Sequence, residues 1–200
     1  RDGGALRPAQ ARAVCRMTLR VLPIGVRDAL RHVERHHSHH HAPPGASFAV
    51  SVADGDRVVC VALVGRPVAR MLDADPLCAE VTRCASDGTP HAASMCLAAA
   101  RRMALAAGYT RLVSYTLLGE TGTSYLAAGW VVTGLVEASQ RWHTRAGRTT
   151  VQGGGKVRWE TGPGAAPADG AAALVCAFAA GRVEVMPRGE VLPLLARGAA

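Results

Sequence analysis

The stretch "RHVERHHSHHHAPPG" places five histidines among residues 36–41. A purification tag stands at a terminus, whereas this run lies inside the chain between a helix-like and a strand-like segment. His36 and His40 are one helical turn apart, a spacing that suits the chelation of a transition metal. The run is therefore a candidate metal site of His36, His39 and His40, or a substrate-cleft wall that uses them with or without a metal. A solvated histidine-rich loop is the structural alternative.

A second charged group spans the end of the strand-like segment "CAEVTRCA" and the turn after it. Glu80 and Arg83 are three residues apart, so a regular strand places them on opposite sides. They are either strand-end charges with separate partners, or a cleft-facing carboxylate and an arginine that holds the turn or an acidic group. Asp87 precedes Gly88, and an aspartate at such a position also has a purely local role in the turn.

Hydroxyl and aromatic side chains follow. Tyr115 lies near the end of the strand-like "TRLVSYTLL", and Ser124 and Tyr125 lie in the helix-like "GTSYLAAG", where Tyr125 also fits plain packing. Farther on, "SQRWHTRAGRTT" places an aromatic residue among arginines, which suits stacking on an exposed base beside neutralised phosphates. A solvated loop explains that segment equally well. The nucleic-acid-binding candidates in it are Arg141, Trp142, Arg145 and Arg148.

The elements that position these residues follow from hydrophobic periodicity. The predicted order is β-α-loop-β-β-β-α-β-α-β, with the longest helix, residues 91–107, between the strands "CAEVTRCA" and "TRLVSYT". This alternation predicts an α/β fold, more specifically an α+β mixed sheet covered by helices. We expect a disordered leader over residues 1–16 and one domain over residues 17–161. Residues 162–200 are expected to form a linker followed by a tail or a small hairpin.

Composition sets the broad class. The 200 residues are 49% hydrophobic, which suits one sizeable core. The sequence shows no apolar run long enough to cross a bilayer, so we expect a soluble, cytoplasmic protein without a membrane partner. Six scattered cysteines indicate reduced core thiols. The net charge of +8 favours polyanions, but lysine occurs only at position 156, and such arginine-rich usage is also typical of a GC-rich genome.

The segments "EVTRCASDGTPHAAS", "GYTRLVSYT" and "GTSYLAAGW" together resemble the second half of the GNAT acyltransferase fold. The pattern E-x-x-R-x-x-x-D-G, the histidine-rich segment before a Pro-Pro-x-Gly turn and the "AAGW" ending resemble the Mom-like branch, which includes a phage protein that modifies adenine in DNA. The resemblance covers roughly residues 17–161. It places the histidine run at the substrate-side loop and so favours a cleft wall.

The resemblance also implies a donor site. In the family, backbone N–H groups of a strand-to-helix turn bind the pyrophosphate of acetyl-CoA or a related acyl-CoA. The usual Q/R-x-x-G-x-G/A turn is absent, with only Arg83 and Gly88 as counterparts, and Asp87 would repel a pyrophosphate unless it points away or binds a metal. The implied cofactor-binding residues are Ser86, Asp87, Gly88, Thr89, His91, Ser94 and Ser124.

The chemistry implied by the resemblance is acyl transfer, in which a tyrosine or serine protonates the departing thiolate. The resemblance also implies that iron or another transition metal binds, with His36, His39 and His40 as its ligands. The implied catalytic residues are His36, His40, Glu80, Arg83, Tyr115 and Tyr125.

Three hypotheses follow. The first is Mom-like modification of a DNA base, an adenine-type amine, with DNA as partner and an acyl-CoA or a derived metabolite as donor. The second is acetylation of an amine of a small molecule or a protein by acetyl-CoA. The third is a non-catalytic module that binds nucleic acid or metal. The arginine-tryptophan segment and the missing glycine-rich turn favour the first.

Overall fold

A computed structural model describes residues 18–36, 43–118, 120–136 and 155–168. Its centre is a seven-stranded sheet with the strand order β1-β2-β3-β4-β5-β7-β6. The strands are β1 (Leu19–Pro23), β2 (Phe48–Asp54), β3 (Arg57–Gly65), β4 (Cys78–Ser86), β5 (Arg111–Leu117), β6 (Val131–Val136) and β7 (Lys156–Thr161). The helices are α1 (Val26–His36), α2 (Arg70–Asp73), α3 (Ala92–Ala106) and α4 (Thr123–Ala127).

The predicted mixed sheet is confirmed. The strands β4 and β5 are parallel neighbours, and the other paired strands are antiparallel. The helix predicted for residues 91–107 is α3, which differs by one residue at each end. A helix too short to show a period, α2, lies between β3 and β4, where the sequence indicated only a loop.

Helices pack on both faces of the sheet. One face contacts α3, whose small side chains let the helix backbone lie close to the strands. The residues that α3 buries there are Ala92, Cys96, Leu97, Ala99, Ala100 and Ala104. On the other face α1 buries Ala29 and Val33 against Leu63 and Ala85. That helix contacts β2, β3 and β4, so it covers the first half of the sheet.

The predicted leader and most of the predicted C-terminal segment lie outside the residues that the structure describes. Residues 1–17 and 169–200 lie outside the described residues, so the leader and the tail or hairpin stay predictions. Residues 162–168 leave the sheet after β7 without regular structure, and the N–H of Ala168 donates to the carbonyl of Val132 at 2.9 Å. Among the described helices, none combines the length and apolarity that a membrane span needs.

Candidate active site

The strands β4 and β5 separate along their length. They pair at three register positions, from Cys78 with Arg111 to Glu80 with Val113. Beyond these positions β4 continues to Ser86 and β5 to Leu117 without pairing to each other. The chain then turns after β4 and enters α3, which therefore begins at the open end. The two strands therefore splay apart at the end of the sheet where α3 begins.

A bulge in β4 corrects the expectation that Glu80 and Arg83 face opposite sides. The pairing register with β3 shifts between Leu63 and Val64, which makes Thr82 an extra residue in β4. An extra residue in one strand reverses the alternation of side chains beyond it. Glu80 and Arg83 consequently point to the same face, the one that α1 covers farther along the sheet.

That face carries many polar groups on β4, β5 and β7. Leu112 and Trp159 belong to the core beneath α3, so the residues beside them in sequence point to the opposite face. On β5 and β7, Tyr115 and Arg158 are direct register partners. We call this set the polar face; it comprises Glu80, Arg83, Arg111, Tyr115, Lys156, Arg158 and Glu160.

Glu80 is a buried carboxylate without an ion pair among the described residues, and its side chain and backbone together are 6% exposed. Its Oε2 atom accepts a hydrogen bond from the N–H of Val68 at 2.8 Å. Burial raises the pKa of Glu80, opposed by that hydrogen bond and by the charges of Lys156 and Arg83. A carboxylate in this environment takes up a proton more readily than an exposed one.

Glu160 is the contrasting acid on the polar face. Arg111 holds both of its carboxylate oxygens, at 2.8 and 2.7 Å, and Arg158 approaches one of them at 3.0 Å. Burial alone would raise the pKa of Glu160, but the hydrogen bonds from Arg111 and the two positive charges lower it. Glu160 therefore remains ionised and serves to hold these arginines in place.

A hydroxyl pair crosses the opening on the α3 side. Ser114 Oγ donates to the carbonyl of Val81 at 2.9 Å, one residue beyond the last paired position, and lies 2.8 Å from Tyr125 Oη. The Tyr125 ring stacks on Trp159 with centroids 5.2 Å apart and meets the edge of Trp130 at 5.5 Å. Burial raises the pKa of Tyr125, so the phenol keeps its proton.

The turn from β4 to α3 has the backbone shape that an anion site needs. Gly88 has φ of +93° and His91 has φ of +63°, and among the described residues no side chain caps the helix. By helical geometry the N–H groups of Ala93 and Ser94 have no carbonyl partner within the helix. Apart from its chain neighbours, no atom of the described residues lies within 4 Å of the position that a Cβ at Gly88 would take, so this part of the described structure leaves the space before the turn open.

Both oxygens of the Asp87 carboxylate have hydrogen-bond donors. One carboxylate oxygen accepts from the Thr89 N–H at 3.0 Å and from its hydroxyl at 2.6 Å, and the other accepts from Arg57 at 2.8 Å. Burial opposes ionisation, but the Thr89 hydrogen bonds and the Arg57 charge lower the pKa of Asp87 overall. The charge of Asp87 is therefore offset by Arg57 of β3 and by the Thr89 donors, which weakens the repulsion of a pyrophosphate that the sequence led us to expect.

The histidines are described only in part. His36 is exposed at the end of α1, and its ring lies 4.4 Å from that of His32. Burial and the neighbouring His36 lower the pKa of His32, against the opposing charge of Asp87. Within the described part of the chain, no three histidine, cysteine or acidic residues are arranged to hold a metal ion. His39 and His40 lie outside the described residues.

Of the remaining predicted site residues, some are described by the structure and others lie outside the described residues. Ser86 Oγ accepts from the Gly88 N–H at 3.2 Å, and Ser94 Oγ donates to the His91 carbonyl at 3.0 Å. Ser124 is partly buried in α4. The nucleic-acid-binding candidates Arg141, Trp142, Arg145 and Arg148 lie outside the described residues.

Sequence reasoning missed two residues of this arrangement, Ser114 at the opening and Lys156 on the polar face. Ser114 sits within an apolar strand pattern and carries no motif, so its bridging position depends on the divergence of β4 and β5. Lys156 is the first residue of β7, and only the strand pairing places it on the polar face. A separate pocket of about 300 Å³, lined by Arg66, Asp73, Tyr109 and neighbours, lies by the start of β4, at the opposite end from the opening.

Comparison with known proteins identifies the fold. No family model and no curated protein matches the chain. The ribosomal-protein-S18-alanine N-acetyltransferase of Escherichia coli is similar in structure, with a TM-score of 0.52 and 9% identity over 74% of this chain and 96% of that one. The polyamine N-acetyltransferase of Drosophila melanogaster has a TM-score of 0.51 and 10% identity over 72% and 99% of the two chains.

A Bacillus subtilis acetyltransferase solved in complex with CoA has a TM-score of 0.50 and 11% identity, over 73% of this chain and 98% of that one. The chain therefore has the fold of the GNAT acetyltransferases. Nothing in these similarities points to the Mom-like branch in particular.

Proposed function

We propose that the protein is an N-acyltransferase that moves the acetyl group of acetyl-CoA, or a related acyl group, to an amine of a small molecule or a protein. The observation that carries the proposal is the opening between β4 and β5 with the uncapped start of α3 at its mouth. The amine nitrogen attacks the thioester carbonyl, a C–N bond replaces the C–S bond, and CoA leaves as the thiol.

The turn after β4 would bind the donor pyrophosphate. Free amides at a helix N-terminus attract phosphate through hydrogen bonds and the helix dipole. Here the positive φ angles of Gly88 and His91 bend the backbone. Arg57 and Thr89 offset the negative charge of Asp87. Ser86, Ser94 and Ser124 remain proposed donor-side residues because they lie on the turn, on α3 and on α4.

Glu80 is the proposed general base. A neutral amine must lose a proton as the C–N bond forms, and a carboxylate with a raised pKa is suited to accept it. Arg83 and Tyr115 share the polar face with Glu80, and burial raises the pKa of Tyr115, so its phenol stays a hydrogen-bond donor. We propose that these two residues contact the acceptor.

Tyr125 is the proposed general acid. Its hydroxyl lies at the opening, hydrogen-bonded to Ser114, and keeps its proton at neutral pH because burial raises its pKa. A protonated phenol can donate that proton to a departing thiolate. His36 and His40 stay proposed acceptor-side residues, and the described residues do not support a metal-dependent step.

The donor site is tested by substituting Gly88. We expect Gly88→Asp to weaken acetyl-CoA binding by at least about tenfold, because it adds bulk and negative charge where the pyrophosphate would lie. Gly88→Asn adds similar bulk without the charge and should weaken binding less. Isothermal titration calorimetry with acetyl-CoA measures both effects.

Gly108 provides a matched control. It has φ of +94° at the far end of α3, and in the described part of the chain only its sequence neighbours lie within 4 Å of the position that a Cβ there would take. Gly108→Asp therefore carries a similar backbone cost but should leave the acetyl-CoA affinity unchanged. Equal affinities of the Gly88→Asp and unaltered proteins would remove the turn from the donor site, and no binding by the unaltered protein would reject the proposal.

The hypothesis of Mom-like DNA modification has less support than acylation of an amine of a small molecule or a protein. It depends on the arginine-tryptophan segment, which lies outside the described residues, and on the charge of +8. The similar structures are acetyltransferases, and two are named for protein and polyamine amines, which favours an amine of a small molecule or a protein as acceptor. A new modified nucleoside in the DNA of cells that overexpress this protein would support the hypothesis that DNA is its substrate.

A further inference from the structure

The hydroxyl of Ser114 has one proton and two hydrogen-bond neighbours. Its Oγ atom donates to the carbonyl of Val81 at 2.9 Å and lies 2.8 Å from Tyr125 Oη. A serine hydroxyl can donate once and accept through its lone pairs. Because its proton goes to the Val81 carbonyl, Tyr125 supplies the proton of the second hydrogen bond. In the resting protein Tyr125 therefore donates to Ser114, and Ser114 donates to Val81.

This chain of two hydrogen bonds is buried at the opening between β4 and β5. Ser114 is 1% exposed and Val81 is 3% exposed. The Tyr125 ring stacks on Trp159 and contacts Trp130, so the ring is held in place and its hydroxyl proton is the part free to turn. Hydrogen bonds in such surroundings are strong and polarise one another. A charge on Tyr125 Oη would therefore act directly on the Ser114 hydroxyl.

Tyr125 cannot donate to Ser114 and to a departing thiolate at once, because a phenol has one proton. Once that proton has gone to the thiolate, a buried phenolate remains. Burial raises the pKa of Tyr125, whereas the hydrogen bond with Ser114 lowers it. The charged forms of Cys84 on β4, Cys60 on β3 and Glu120 before α4 also raise it. Of these four neighbouring groups, only Ser114 favours the phenolate.

We propose that Ser114 is a positioning residue for the acid step, and that its hydroxyl turns from the Val81 carbonyl to Tyr125 Oη as the phenol gives up its proton. This inference rests on the proposed acyl transfer and adds the group that assists its general acid. As the C–S bond breaks, the Tyr125 O–H bond breaks and an S–H bond forms on CoA. Ser114 keeps its own proton, and the phenolate regains a proton from water after the thiol has left.

The ionisation of residue 125 tests this role without any acceptor. Difluorotyrosine replaces the three tyrosines, because fluorine beside the oxygen lowers the pKa of the phenol into a range where the folded protein can be titrated. Fluorine NMR follows the titration, and Tyr125→Phe assigns the signal. We expect Ser114→Ala to raise the pKa of residue 125 by about one pH unit or more, the scale of one hydrogen bond to a charged group. An unchanged pKa overturns the proposal.

Two further variants at position 114 separate the donor from the space that it fills. Ser114→Thr keeps the hydroxyl and should retain most of the unaltered pKa of residue 125. Ser114→Cys has nearly the size of serine and a weaker donor, so it should raise that pKa, and it replaces Ser114→Ala if the alanine variant does not fold. A cysteine variant with the unaltered pKa would contradict the proposal.

Thr116→Val is the matched control on the same strand. Thr116 is a buried residue on the same face of β5 as Ser114, and its Oγ1 atom accepts from Trp159 Nε1 at 2.9 Å. The valine variant also loses a buried hydroxyl, but it keeps the contact between Ser114 and Tyr125. The pKa of residue 125 should therefore stay as in the unaltered protein. An equal rise in Thr116→Val and Ser114→Ala would mean a general packing effect and would refute the proposal.

The thiol of bound CoA tests whether Ser114 acts through Tyr125. Its ionisation is followed by ultraviolet absorbance, as the difference between CoA and an analogue that lacks the sulfur. We expect the lowest thiol pKa in the unaltered protein, a higher one in Ser114→Ala and the highest in Tyr125→Phe. Ser114→Ala should have no further effect when Tyr125→Phe is present, because the two residues act as one unit.

The outcomes of the CoA titration separate the two proposals. Equal effects of Ser114→Ala with and without Tyr125→Phe would show that Ser114 does not act through the phenol, and the inference would fail although CoA binds. If neither CoA nor acetyl-CoA binds to the unaltered protein, the proposed function fails. The fluorine titration then still decides whether Ser114 stabilises the ionised form of residue 125.

Discussion

Two buried carboxylates on one face of the sheet have opposite electrostatic environments. Glu160 is held by Arg111 and Arg158, which lower its pKa, whereas Glu80 has one backbone hydrogen bond and a raised pKa. The side chains are chemically identical, so the difference comes from their partners. An ion-paired carboxylate is a weak base, and Glu80, which has no ion pair within the described structure, is therefore the residue suited to proton transfer.

We expect Glu80→Gln to lower kcat by roughly 10²- to 10⁴-fold, the usual contribution of a general base. The amide oxygen can still accept from the Val68 N–H, so the local structure should persist. The affinity for acetyl-CoA, measured by calorimetry, should not change. Glu34→Gln, an exposed change on α1, is the matched control.

The pH dependence gives a second check on the same residue. The base works only when ionised, so kcat/KM should fall as the pH drops through the raised pKa of Glu80. This acid limb should lie above the ordinary glutamate value of about 4.3. A limb that persists in Glu80→Gln would assign the titration to a different group.

At the scale of elements, the loop between β5 and α4 is fixed by a close approach to β7. Gly122 has φ of +63°, and a Cβ there would lie 2.2 Å from Cζ2 of Trp159. Trp159 also stacks on Tyr125 and donates from Nε1 to Thr116 Oγ1 at 2.9 Å. The position of the Tyr125 hydroxyl therefore depends on the absence of a side chain at residue 122.

We expect Gly122→Ala to reduce the free energy of unfolding by about 2–4 kcal/mol, from the strained backbone together with overpacking against Trp159. Urea denaturation followed by tryptophan fluorescence measures it. Gly108→Ala has a similar positive φ and open space around it, so it should cost only about 1–2 kcal/mol. Equal losses in the two variants would mean that the Trp159 ring moves aside freely.

These elements also separate what the sequence can predict from what it cannot. Periodicity predicted β4, α3 and β5 because each buries a regular apolar pattern. The bulge at Thr82 was not predictable, since it exists only in the register with β3, and it reversed the expected facing of Glu80 and Arg83. Ser114 and Lys156 were missed for the same reason: their places depend on neighbouring strands distant in sequence.

At the scale of the whole molecule, Glu80 should cost stability at neutral pH. Burial raises its pKa in the folded protein, so the folded state binds the proton more tightly than the unfolded chain does. Folding therefore loses stability as the pH rises from the unfolded pKa of about 4.3 through the higher folded pKa.

The Glu80→Gln substitution removes this cost, because an amide does not ionise. We expect the melting temperature of Glu80→Gln to exceed that of the unaltered protein at pH 8, with a smaller difference at pH 4. Thermal melts at both pH values measure the comparison, and Glu34→Gln should show neither effect. A variant that is less stable at pH 8 would contradict the assigned direction of the pKa shift.

The short pairing between β4 and β5 also makes the sheet less strongly connected at this place than between its other strands. The strands β1 to β4 form one extended ladder and β5, β7 and β6 another, and three register positions join the two backbones. Beyond them the ladders are held together by α3 and by the Ser114 hydroxyl. We expect such a seam to divide the domain into two cooperative units, and each unit to open at a lower free-energy cost than global unfolding. A donor seated in the opening would contact both units, so its binding energy would make them unfold as one.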